Sequence, residues 1–330
     1  MAVPSTEWEE IYAPDEEERF SEYAEKFILI QKEKSKKYGK GRALHRKQIL
    51  ALKAELEILD SLPEYAKSGL FQTPGKYSAY VRLSNGGTEI QADQIPDIRG
   101  FSIKVLGVDG EGALGARTKE QDFTLINREA FAFPRSDEFV GLVLAVSGGP
   151  FSMIPYLWER YGLWESISKL LQLGSAMNRP FSGFATESFF SAAPIACDPY
   201  ACRVRLLPAQ TDEDGLKLES WADNFRNHLR KGDLKFDLQL QFYTDEKNTP
   251  IEDASKNWEE SISPYISVAR LTIPSNQPEG EKYNEFSSLI EESIFDPWNA
   301  LFDHRPLGDV MRTRKVIYFA SQKERGLHSS

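Results

Sequence analysis

Strict two-residue alternation constrains this chain more than any other feature of its sequence. Phe236, Leu238, Leu240 and Phe242 alternate with Asp237, Gln239 and Gln241. A period of two puts the apolar set on one face and the polar set on the other, as in a β-strand with one packed face. The same period begins at Leu50. Leu50, Leu52, Ala54, Leu56 and Ile58 point one way, and Ala51, Lys53, Glu55 and Glu57 the other. Here alternation predicts a strand although these residue types individually favour helix. Further strands are expected at residues 78–84, 101–106, 122–127, 201–207 and 266–273. Strands that follow one another without regular helices between them fit an antiparallel sheet or barrel rather than a doubly wound fold.

Helical spacing is confined to other segments. Phe20, Tyr23, Phe27 and Ile30 mark a charged helix over residues 15–37, broken by the Gly39 and Gly41 run. An apolar, aromatic insertion over residues 138–190 carries Ile154, Leu157, Trp158, Tyr161, Trp164, Ile167 and Leu171, expected to pack over the barrel. Its residues 141–173 are also a candidate wall for a substrate channel. A last helix is expected to start with Asp309 as N-cap and to stop at Gly326. The fold class is therefore α+β. One domain is expected over residues 1–330, with an N-terminal helical arm over 1–40.

Composition excludes several function classes. The net charge of -10 disfavours contact with phosphate backbones, so no nucleic-acid partner is expected. No apolar run is long enough to span a bilayer, and the acidic N-terminus does not read as a secretion signal. Two cysteines, Cys197 and Cys202, exclude a disulfide framework, and four scattered histidines make a multi-histidine metal centre improbable. A cytoplasmic protein is expected.

The last helix carries one polar face. Arg314, Tyr318, Ser321 and Arg325 recur at a spacing that stacks them along the same side. Positive charge one turn from a phenol favours its ionised form, and a phenolate is a good ligand for ferric iron. Taken alone, R-x-x-x-Y is as readily a solvated basic face.

The rest of the chain changes that balance. Arg42-Ala-Leu-His45 is followed by Tyr80-Val-Arg-Leu-Ser84, by Asp97-Ile-Arg-Gly-Phe101, and by a segment from Gln121-Asp-Phe123 through Asn127 to Phe131. The series ends with Arg314, Tyr318 and Arg325. In this order the motifs resemble the catalase superfamily, most closely its small, catalase-related haem proteins. The resemblance spans nearly the whole chain. It implies haem b, with Tyr318 as the axial iron ligand, as is general for catalase, and Arg314 as its charge partner. It makes His45 the distal acid–base group and Ser84 the serine that orients it. Arg42, Arg82 and Arg325 would hold the haem propionates. Asn127 would be the distal asparagine in one register; a second register puts Glu120 there instead. Phe133 is the choice for the aromatic that stacks on the porphyrin, with Phe131 and Phe139 as alternatives.

The sequence departs from true catalases in two ways. Apolar Leu44 stands immediately before His45, and the chain is short. Both point to a more open, apolar channel. The function implied is a haem-dependent peroxidase that reduces hydrogen peroxide or organic hydroperoxides, a lipid hydroperoxide included. Alternatives are dehydration of a fatty-acid hydroperoxide, as in coral allene oxide synthase, whose threonine before the distal histidine is absent here, and weak catalase activity. A non-catalytic haem or lipid carrier has no need of His45. A homodimer is one assembly open to such a chain.

Overall fold

The computed structural model describes residues 3–147, 153–177, 179–209 and 220–327. The strands are β1 (Gln48–Ile58), β2 (Gly75–Asn85), β3 (Arg99–Glu111), β4 (Arg117–Ile126), β5 (Phe189–Phe190), β6 (Ile195–Cys197), β7 (Tyr200–Pro208), β8 (Leu234–Phe242) and β9 (Tyr265–Ile273). The helices are α1 (Glu16–Tyr38), α2 (Ser136–Ser147), α3 (Met153–Met177), α4 (Trp221–Lys231), α5 (Gly280–Glu292) and α6 (Asp309–Glu324).

Every strand pairing is antiparallel. The short β5 joins β4 through Ile126 and Phe190, and joins β7 through Phe189 and Leu206. The order β1-β2-β3-β4-β5-β7-β8-β9 thereby closes into an eight-stranded barrel, with β6 hanging on β7 as a hairpin. Closure removes the exposed edges that an open sheet would present. The architecture is α+β, as the alternating patterns predict.

Register sorts the two faces of the barrel wall. Across β2, β3 and β4, Val81, Ile103 and Phe123 are neighbours, and so are Leu83, Phe101 and Leu125. These six side chains are buried in the main core. Each such burial contributes about 1.5–3 kcal/mol. The intervening positions face outward: Arg82 beside Ser102 beside Thr124, and Ser84 beside Gly100 beside Ile126. The apolar half of the alternation therefore fills the barrel. The polar half forms a floor on its outside, and α6 crosses that floor.

Two glycines fix the ends of α6. Gly308 has φ 88, and a Cβ there would lie 2.6 Å from the Ile251 carbonyl. Gly326 has φ 73. Asp309 is not the N-cap; Gly308 is. Asp309 instead accepts the backbone N–H of Ser136 at 2.6 Å and the Arg19 guanidinium at 3.3 Å, so its carboxylate joins three segments. Arg312 adds ion pairs to Glu10 and Glu16, both at 2.7 Å, and to Glu252 at 3.0 Å.

The structure corrects two other expectations. A regular helix, α4, does lie between strands β7 and β8, with the Ser220 hydroxyl accepting the Asp223 N–H. The α3 stripe does not pack as one face. Leu157 is fully buried, whereas Trp158 and Trp164 are 58% and 82% exposed. Gly162, at φ 73, kinks the helix between them and rotates the second half. The Leu171 side chain lies outside the described residues.

Candidate active site

His45 sits in the loop between α1 and β1, with φ 51. A non-glycine residue in this left-handed region costs on the order of 1–3 kcal/mol and persists only where its surroundings hold it. Here the His45 N–H is accepted by Gly86 O at 2.9 Å, and the Arg82 guanidinium donates to His45 O at 2.9 Å. The ring is held as well: Nδ1 lies 3.0 Å from Ser84 Oγ. That contact leaves Nε2 as the nitrogen open to a ligand.

Gly100 makes this arrangement sterically possible. A Cβ there would stand 2.5 Å from His45 Nδ1 and 2.6 Å from Ser84 Oγ. The glycine of the Asp97-Ile-Arg-Gly segment therefore admits the imidazole against the barrel wall. Asp97 and Arg99 secure the loop beneath. Asp97 accepts the N–H groups of Gly87 and Ile98, and Arg99 donates to the carbonyls of Asp93 and Ile95 and to the Asn85 side chain. Enclosure by protein, reinforced by the charges of Arg82, Arg314 and Arg42, lowers the His45 pKa to about 3. The imidazole is accordingly neutral at neutral pH and able to accept a proton.

The facing wall comes from α6. Arg314, Tyr318, Ser321 and Arg325 all line one cavity together with His45, Arg82 and Arg42. Arg314 Nη2 donates to the Tyr318 hydroxyl at 2.9 Å and to Thr124 Oγ1 at 2.9 Å. Thr124 belongs to the outward row of β4, so the barrel wall itself aims the guanidinium at the phenol.

Arg42, Arg82 and Arg325 gather at the end of α5. Arg82 donates to the Glu291 carboxylate at 2.8 Å and 3.1 Å. Arg42 reaches the same carboxylate at 2.8 Å, and also Glu291 O and Ser293 O. Arg325 donates to Glu291 O at 2.7 Å. A helix C-terminus has free carbonyls and partial negative charge, which suits guanidinium donors.

Three expected site residues are not among those lining the cavity: Ser84, which contacts the His45 ring, Asn127 and Phe133. Asn127 is buried, and its Oδ1 accepts the Arg99 N–H at 2.8 Å. Phe133 is fully buried against Leu157, beneath α2 and α3. Phe131 and Phe139, the alternatives for the stacking aromatic, do line the cavity, with ring centroids 5.5 Å apart. Among the described residues, none of α3 lines the wall; α2 does, through Phe139. Sequence reasoning missed Glu291, Thr124 and Ser102. Thr124 and Ser102 could have been found once the registers of β2, β3 and β4 were aligned. Glu291 gives no signal in its own helix.

The cleft holds about 1090 Å³ of space, part of it open to solvent. Phe27, Leu44, Phe131, Phe139 and Ile317 make much of its wall apolar.

No family model and no curated protein sequence matches the chain. Solved structures do. A fungal catalase superposes with a TM-score of 0.67 at 17% identity, covering 86% of this chain and 59% of that one. Catalase A from Saccharomyces cerevisiae gives 0.65 at 16% identity, covering 86% of this chain and 60% of the other. A bacterial catalase gives 0.62 at 17% identity, covering 98% of this chain and 63% of the other. The chain has a catalase-like fold. It spans 59–63% of the length of these catalases.

Proposed function

We propose that this chain, as one catalase-core-like unit, is a haem-dependent peroxidase acting on hydroperoxides. One observation carries the reading: a single cavity is lined both by the Arg314–Tyr318 pair and by the serine-held imidazole of His45. The donor set fits haem b. Tyr318 offers a phenol oxygen held by a guanidinium as the iron ligand. Arg42, Arg82 and Arg325 offer donors for carboxylates, and Phe131 or Phe139 an aromatic face. Bound haem would supply the redox chemistry that cleaves a peroxide O–O bond.

The chain's own residues would handle the proton and the orientation. His45 Nε2 would take the proton of the hydroperoxide and return it to the departing oxygen, released as water or an alcohol. Ser84 would keep the ring aimed. Leu44 and the apolar wall favour an organic hydroperoxide, because burial contributes roughly 25 cal/mol per Å² of apolar surface. Asn127 would act at one remove, by tying the end of β4 to the start of β3 at Arg99. The test is an optical spectrum of the purified protein with added haem b, before and after a hydroperoxide. A high-spin ferric spectrum that responds to peroxide is expected. Absence of haem binding would overturn the reading.

A further inference from the structure

Three of the four arginines that line the cavity, Arg42, Arg82 and Arg325, meet at one resident glutamate, Glu291. Glu291 contacts Arg82 and Arg42 through its side chain and Arg325 through its carbonyl, yet it is not among the residues lining the cavity. It therefore binds the guanidiniums from outside, leaving their remaining edges for a ligand. The Arg82 side chain is 2% exposed and that of Arg42 is 12% exposed, so these charges are poorly solvated. Three guanidiniums against one carboxylate leave two positive charges uncompensated. Glu292 is the other acid close to Arg325, and it is exposed and screened by solvent.

From this arrangement we infer that Glu291 is the affinity-setting counter-ion of the site. It preorganises the arginine cradle without a ligand and leaves a charge deficit matched to a ligand bearing two carboxylates. The inference rests on the haem reading for the ligand's identity, but the role of Glu291 is separately measurable. Burial and mutual repulsion lower the Arg42 pKa well below its ordinary value, and Glu291 opposes that shift. The same opposition operates at Arg325. A carboxylate in this position stabilises the ligand-free protein and repels the carboxylates of an incoming ligand.

Glu291→Gln removes the charge while keeping an oxygen that accepts a hydrogen bond. The ligand-free variant should melt lower than the wild type, by on the order of 1–2 °C in a chain of this size. Binding is read by quenching of tryptophan fluorescence with two probes, metal-free protoporphyrin IX and its dimethyl ester. The preference for the diacid over the diester should rise by about tenfold in the variant, as expected for a like charge removed at short range. The increase should shrink in high salt. An unchanged or reduced preference, with the variant folded, overturns the counter-ion role. Should Gln unfold the protein, Glu291→Asp, which keeps the charge, must restore both melting temperature and preference; if it does not restore the preference, the role is overturned. Wild-type protein that binds neither porphyrin overturns the haem reading itself, and with it this inference.

Discussion

His45 Nδ1 lies 3.0 Å from Ser84 Oγ, and Gly100, by lacking a Cβ, leaves room for the ring to lie against the barrel wall there. The imidazole is thus fixed by three features at once: a left-handed backbone, a serine on the neighbouring strand and a missing Cβ. This fixation converts a loop histidine into a positioned base, and it yields two predictions.

The first concerns proton transfer. His45→Ala should retain haem and lose about 10²–10⁴-fold in hydroperoxide turnover, the usual contribution of a positioned acid–base group. In the wild type, the rate should not fall between pH 8 and pH 5, because the His45 pKa is lowered to about 3. The sign for stability follows from the same shift. The unfolded chain binds the proton first, so the contribution of neutral His45 is full above about pH 6.5 and declines as pH falls toward 3. His45→Ala should therefore lose less melting temperature than the wild type between pH 7 and pH 5. An acid limb near pH 6.5 in the wild-type rate would show that His45 does not work as described.

The second concerns Gly100. Its φ is not left-handed, so Gly100→Ala strains contacts rather than backbone. The added methyl must push the imidazole or the Ser84 hydroxyl away, at a cost of about 1–3 kcal/mol. Turnover should fall by at least tenfold while haem affinity stays within a few-fold of wild type. Equal loss of haem and turnover would mean that the glycine supports the fold alone.

The third prediction concerns substrate. Leu44, Phe27, Phe131, Phe139 and Ile317 give the cavity an apolar wall. Hydrogen peroxide has no apolar body to bury, so turnover of cumene or fatty-acid hydroperoxide should exceed oxygen evolution from hydrogen peroxide. The organic product should be the alcohol. Rapid oxygen evolution with slow organic turnover would return the reading to plain catalase. An allene oxide or its ketol, formed without a reductant, would move it to dehydration.

Period-two alternation made the long strands legible, because each has one face in the barrel core. It missed β5 and β6, whose few residues carry no period, although β5 closes the barrel. The α6 face was legible from spacing, since Arg314, Tyr318, Ser321 and Arg325 need only one helix to align. Glu291 was not, because its role arises where α5 ends beside β2 and α6. The position of Phe133 away from the cavity was hidden for a related reason. Phe131, Phe133 and Phe139 are equivalent as sequence, and only the packing of Leu157 onto Phe133 separates them.

Tyr318 decides the central claim. Its hydroxyl accepts a hydrogen bond from Arg314 at 2.9 Å, and Thr124 holds that guanidinium in turn. The most direct measurement is the optical and electron paramagnetic resonance spectrum of ferric haem b bound to wild type and to Tyr318→Phe. The wild type should be five-coordinate and high-spin with phenolate charge-transfer features. Tyr318→Phe should lose those features or bind haem far more weakly. Identical spectra and equal affinity in the two proteins would mean that Tyr318 is not the iron ligand.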